Sequence, residues 1–184
     1  MKKLFFLVTT LLMAYSSFGQ SIGYRTESNG ILNVGTNYLI RNHEVGIALN
    51  YAKFLNTSEE RWKLSMIYIW AGTEYNFDKD SKLLIKTFSD KVIELSQKID
   101  CQSVKREREC PISGDYSYFY IWRYPDYDIT SDDLHTIMND GIKKMRFETT
   151  RGMRDVLFEK DIWGNLIKSE YDLILGKSDF SSGF

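Results

Sequence analysis

Asn29-Gly30, set between two runs of alternating side chains, constrains this chain more than any other pair of residues. A two-residue hairpin connection needs positive φ at both positions, and Asn-Gly tolerates that better than almost any other dipeptide. The flanking runs, Ile22 to Thr26 and Ile31 to Ile40, therefore read as antiparallel strands. In the second run Leu32, Val34, Thr36, Tyr38 and Ile40 alternate with Asn33, Gly35 and Asn37. A third run sets Val45, Ile47, Leu49 and Tyr51 against Gly46, Ala48, Asn50 and Ala52. One face is large and apolar and the other small or polar, which is the period of a strand.

A fourth run, Trp62 to Phe77, holds Leu64-Ser65-Met66-Ile67-Tyr68-Ile69-Trp70-Ala71, apolar on both faces over its centre, and predicts a central, doubly covered strand. The pattern then changes. Ile85, Phe88, Val92, Leu95 and Ile99 fall at helical spacing behind Asp80 or Ser81 as a cap, with Lys82, Lys86, Asp90, Glu94 and Lys98 along another face, and predict an amphipathic helix. Tyr116 to Tyr124 has the aromatic content of a strand, which Pro125 is expected to end, leaving Asp126 and Asp128 as turn residues. Ser131 is expected to cap a second helix, with Asp132 and Asp133 in its first turn and Lys143, Lys144 and Arg146 at its end. Its apolar stripe is Leu134, Ile137, Met138, Ile142 and Met145. Val156 to Lys160 and Leu166 to Leu175 read as a hairpin around Asp161-Ile162-Trp163-Gly164-Asn165. The expected class is α+β, a mostly antiparallel sheet with two amphipathic helices packed on one face. If Val104 to Glu109 forms a short strand rather than a solvated loop, Leu64 to Phe158 falls into the order β-α-β-β-α-β.

Met1-Lys2-Lys3 precedes the apolar stretch Leu4 to Ala14, and the small residues Ser16, Ser17 and Gly19 follow ahead of Gln20. A charged start, an apolar centre and a small-residue end are the parts of a secretory signal peptide, and the stretch is shorter than the roughly 20 residues of a spanning helix. The Phe18-Gly19-Gln20 junction resembles signal peptides of Bacteroidota. The expected organisation is a signal peptide over 1–19, a single α+β domain over 20–175 and a flexible tail over 176–184. The expected location is periplasmic or extracellular, with no transmembrane helix in the mature chain. In an oxidising compartment Cys101 and Cys110, in a C-x8-C spacing, are expected to form a disulfide.

Composition narrows the function classes. With 24 Lys and Arg against 25 Asp and Glu, the chain lacks the basic excess that nucleic acid requires. An aromatic content of 15% is too high for a disordered segment, and two Cys are too few for a disulfide-dense scaffold. No nucleophile elbow, paired-His zinc motif or phosphate loop is present. His43 and His135 stand in unrelated segments and read as surface or cap residues. Neither metal nor cofactor is expected. The cysteines lack two further ligands at a suitable spacing, and Asp126 to Ile137 carries Ser131 where a calcium loop needs Gly and Ile137 where it needs Glu.

The candidate binding residues are Tyr116, Tyr118, Tyr120, Trp122 and Tyr124, which share one side of a strand, followed by Asp126 and Asp128. Such a row is either core or a platform for another envelope protein, a peptide or a glycan. The leading expectation is an exported, non-enzymatic binding or interaction domain. A small outer-membrane β-barrel-type protein is one alternative, since the second and third runs carry a membrane wall's alternation and Phe184 resembles the terminal aromatic of many outer-membrane proteins. A small secreted hydrolase using Asp carboxylates from Asp126 to Asp133 is the other.

Overall fold

The structure is a computed structural model and describes residues 21–41, 45–71, 76–98, 100–101, 104–109 and 116–176. Its strands are β1 (Ile22–Ser28), β2 (Ile31–Thr36), β3 (Leu39–Arg41), β4 (Val45–Phe54), β5 (Glu60–Ala71), β6 (Lys82–Thr87), β7 (Val92–Ser96), β8 (Val104–Glu109), β9 (Tyr116–Ile129), β10 (Ile142–Thr149) and β11 (Gly152–Leu157). Its helices are α1 (Ser131–Asp140) and α2 (Trp163–Ile174). One sheet runs β1-β2-β4-β5-β9-β8, with β3 also paired to β4, and a smaller one runs β11-β10-β6-β7. The described pairings are antiparallel, so the class is broadly α+β. No helix among the described residues is long and apolar enough to cross a membrane.

The Asn29-Gly30 turn forms as its chemistry dictates: φ is 53° at Asn29 and 72° at Gly30, and Ser28 pairs with Ile31 across it. The run from Ile31 to Ile40 divides into β2 and β3. Both pair with β4, but Gly35 opposes Asn50 whereas Leu39 opposes Ile47, so one extra residue is accommodated between them. Thr36 repairs the ladder there, its hydroxyl accepting from the Leu49 amide at 2.9 Å. β5 takes the expected central place between β4 and β9.

The helix expected over Asp80 to Ile99 is instead the β6-β7 hairpin, turning at Asp90 with φ 64°. Strand period fits the same residues, with Leu83, Ile85, Ile93 and Leu95 buried while Lys82, Glu94 and Lys98 stay exposed. Pairing of β6 with β10 decides between the two periods. The loss of that helix also removes the β-α-β-β-α-β order, although Val104–Glu109 is a strand.

Three further expectations change. The first helix is capped by Thr130, whose hydroxyl accepts from the Asp133 amide at 3.1 Å, and it stops at Gly141, φ 68°, so that Ile142 to Arg146 continue as a strand. The expected hairpin across Asp161 to Asn165 is the start of α2, where Asp161 Oδ1 accepts from the amides of Trp163 (3.1 Å) and Gly164 (2.8 Å). Pro125 does not end its strand. It sits where Ser65 opposes Asp126 but Ile67 opposes Arg123, an irregularity that tolerates a residue without an N–H, and β9 continues to Ile129.

One cluster of buried residues runs through both sheets and both helices. Tyr68 anchors it, with the ring of Phe147 edge-on at 4.5 Å and that of Phe77 at 5.2 Å, while Tyr171 of α2 stacks on Trp62 at 4.9 Å. Truncating one such buried aromatic to Ala costs about 3–5 kcal/mol.

Candidate functional site: a polar chain across the large sheet

Ala48 and Asn50 of β4 and Ser65 of β5 lie on the sheet face away from Ile47, Leu49, Leu64 and Met66, and with Gly23, Tyr24, Thr36 and Asp126 they line a cleft of about 420 Å3. Gly35 opposes Tyr24 on one side and Asn50 on the other, and Ser65 opposes Asp126. Because Gly35 has no side chain, the Tyr24 ring lies across it and reaches Asn50. The Tyr24 hydroxyl donates to Asn50 Oδ1 at 3.0 Å, Asn50 Nδ2 donates to Ser65 Oγ at 2.5 Å, and Ser65 Oγ donates to Asp126 Oδ1. Tyr38 and Ala48 complete the wall, with Asn37, whose Nδ2 donates to Ser21 Oγ at 2.7 Å.

Burial and the Asp126 charge both hold the Tyr24 phenol above its ordinary pKa, so it remains a donor across the physiological range. Ser65 is only 3% exposed and its hydroxyl is engaged on both sides. It is a fixed link rather than an available nucleophile.

On the core side of the Thr36 irregularity lies Glu170 of α2, fully buried. Thr36 and the Leu49 amide are its nearest polar groups, but they bond to each other, and neither Glu170 oxygen has a hydrogen bond of normal geometry. Burial pushes its pKa up to about 8, only partly opposed by Thr36 and Leu49.

The structure separates the predicted site residues. Asp126 lies in the cleft. Asp128, two residues on, borders a different hollow of about 240 Å3 together with Glu60, Arg61 and Ser131. Tyr116, Tyr118, Tyr120, Trp122 and Tyr124 all belong to β9, where position 122 is paired with Tyr68 and position 120 with Trp70; their side chains lie outside the described residues. Asp126 and Asp128 are strand residues rather than turn residues. His135 is exposed, with its ring edge-on to Tyr171 at 5.4 Å, and His43 lies outside the described residues. No group of three or more His, Cys, Asp or Glu among the described residues is placed to hold a metal ion.

Cys101 is buried and makes no disulfide in this structure; burial first, and the Asp126 charge second, push its thiol up to about 11. Cys110 lies outside the described residues. β8, extended between the two cysteines, weighs against an intrachain bridge, since six residues at strand rise span about 17 Å and a disulfide joins Cα atoms about 5.5 Å apart.

Sequence reasoning missed Tyr24, Asn50 and Ser65 as a group. The available signal was the small-or-polar alternation of β2 and β4, which marks one face as something other than core. Compared with protein-family models, curated proteins and solved structures, the chain matches none.

Proposed function

We propose that this chain is an exported, non-enzymatic binding domain and that the cleft lined by Tyr24, Asn50, Ser65 and Asp126 is where it meets its ligand, an envelope protein, a peptide or a glycan. The observation that carries the reading is the chain of hydrogen bonds from Tyr24 to Asp126 inside a concavity of about 420 Å3. Polar side chains on a solvent-facing sheet ordinarily bond to water and move freely. Here they are ordered before any ligand arrives, which lowers the entropy lost on binding, and the volume is that of a small-ligand site. The buried, doubly engaged Ser65 supports binding over hydrolysis. On this reading both helices cover the opposite, apolar face and leave the cleft open.

Export is part of the proposal and rests on the Lys2 to Gln20 pattern. In an oxidising compartment a bridge between Cys101 and Cys110 requires 101–103 to fold back along β8. Intact mass before and after reduction tests it, since a bridged chain is lighter by two hydrogens.

The test of function is capture of envelope proteins, peptides and glycans by the mature chain, with Asp126→Ala alongside, after cell fractionation. Export predicts a mature N-terminus near Gln20 in the envelope or medium, and the cleft reading predicts that Asp126→Ala loses the captured ligand. A cytoplasmic chain that retains Met1, or a ligand held equally by Asp126→Ala, defeats the corresponding half.

A further inference from the structure

We infer that the cleft takes a primary ammonium group, carried on the lysine side chain of a partner peptide or protein. This rests on the reading of the cleft as the ligand surface.

The argument begins at Asp126. A carboxylate only accepts, so Ser65 must spend its single proton on Asp126. Ser65 Oγ is then an acceptor toward Asn50, which turns the Asn50 amide nitrogen to Ser65 and its oxygen to Tyr24. Tyr24 must therefore donate as well. Every proton in the chain points toward Asp126, and the groups left over are nearly all acceptors: the Tyr24 oxygen, the second lone pair of Asn50 Oδ1 and the other Asp126 oxygen. Within this chain a single N–H of Asn50 remains as a donor, and Asn37 keeps a second one on the wall.

That inventory selects the ligand. An anion meets the Asp126 charge with no Lys or Arg among the described residues of the cleft to offset it. A saccharide hydroxyl brings an acceptor for each donor, and part of that capacity goes unmet against the acceptors of Tyr24, Asn50 and Asp126. An ammonium brings three donors and no acceptor, and its charge is attracted to Asp126. The Tyr24 ring, 46% exposed, offers an aromatic face to the same cation. An amino sugar carries the ammonium but also several hydroxyl oxygens that need donors. The four-carbon stem of lysine needs none.

The experiment is an NMR titration of the mature chain with acetyl-Gly-Lys-Gly-amide, the same peptide acetylated on the lysine Nζ, glucosamine and N-acetylglucosamine, following the Asn50 side-chain amide and the Tyr24 ring. The expected result is saturable shifts with the lysine peptide alone. Asp126→Asn weakens binding by roughly tenfold or more, and Tyr24→Phe, which keeps the ring, by roughly threefold. Dispersed amide spectra of both variants establish that they are folded. Equal binding of the acetylated peptide, preference for either sugar, no saturable shift with the lysine peptide, or unchanged affinity in folded Asp126→Asn overturns the inference. A sugar that shifts the cleft while lysine does not leaves the cleft as the binding surface and removes only the ammonium; ligand captured equally by Asp126→Ala removes the cleft itself.

Discussion

A Cβ on Gly35 would lie 2.3 Å from Cε1 of Tyr24, so the tyrosine ring occupies the space that any other residue at 35 would claim. The same Cβ would lie 2.3 Å from Asn50 Oδ1. Gly35→Ala therefore displaces the start of the polar chain. Tyr24 is an exposed side chain on an edge strand and can move, but Asn50 is half-buried and held by Ser65, so Gly35→Ala should cost about 1–3 kcal/mol. Ligand capture falls at a temperature where the variant is still folded. Capture at the parent level by folded Gly35→Ala would count against the site.

Ser65 and Asp126 bring β5 and β9 together from distant parts of the chain. Because Ser65 is buried, removing either member leaves the other short of a partner, at about 1–3 kcal/mol for each single substitution. Urea unfolding of Ser65→Ala, Asp126→Ala and the double variant should give a non-additive cycle, with a coupling of about 0.5–3 kcal/mol. Additive losses would mean that the two side chains do not act as a pair.

Glu170 makes stability fall as pH rises. Its folded pKa of about 8 lies above the ordinary 4.5, so between these values the native state holds a proton that the unfolded chain has released. The native state is then favoured most below the unfolded value, and that advantage disappears as pH climbs through the folded value. The loss amounts to about 4–5 kcal/mol by linkage if the full shift is expressed. Glu170→Gln keeps the shape, stays neutral and flattens the slope. Denaturation at pH 5 and pH 8 measures it: the variant should gain over the parent at pH 8 and match it at pH 5. Parallel parent and variant curves across that range would show that Glu170 does not carry the slope.

Asp161 ties the two helices together. Its Oδ1 accepts from the Trp163 and Gly164 amides at the start of α2, and its side chain lies against Gly141 at the end of α1, where an added Cβ would come 2.5 Å from Asp161 Cγ. Asp161→Ala should cost about 1–2 kcal/mol as a lost cap, and Asp161→Asn, which keeps an oxygen acceptor, much less. Gly141→Ala adds left-handed strain at φ 68° to the collision and should cost about 1–3 kcal/mol. Urea midpoints rank the three variants. Equal loss in Asp161→Asn and Asp161→Ala would assign the effect to packing rather than capping.

Features set by one or two neighbouring residues were legible in the chain. Asn29-Gly30 makes its turn because positive φ is a local property, and Asp132 and Asp133 open a helix one residue from the expected cap. The alternation in β4 separates Ile47 and Leu49 from Asn50, which assigns one face to the core and the other to the cleft. Where two periods fit the same residues, local pattern fails. Leu83 to Leu95 satisfies both strand and helix spacing, and Leu166 to Leu175 reads as a strand until Asp161 supplies a cap.

The meander, its small and polar face and the acceptor-only chemistry of Asp126 follow from the order of residues alone. Tertiary structure decided which residues those groups meet. Pairing with β10 turned a helical pattern into a hairpin, and the irregular register at Pro125 brought Asp126 opposite Ser65 while Asp128 borders a separate hollow. The reason is physical: backbone preference acts over a few residues, whereas the hydrogen bonds joining Tyr24, Asn50, Ser65 and Asp126 exist only once strands far apart in the chain are in register.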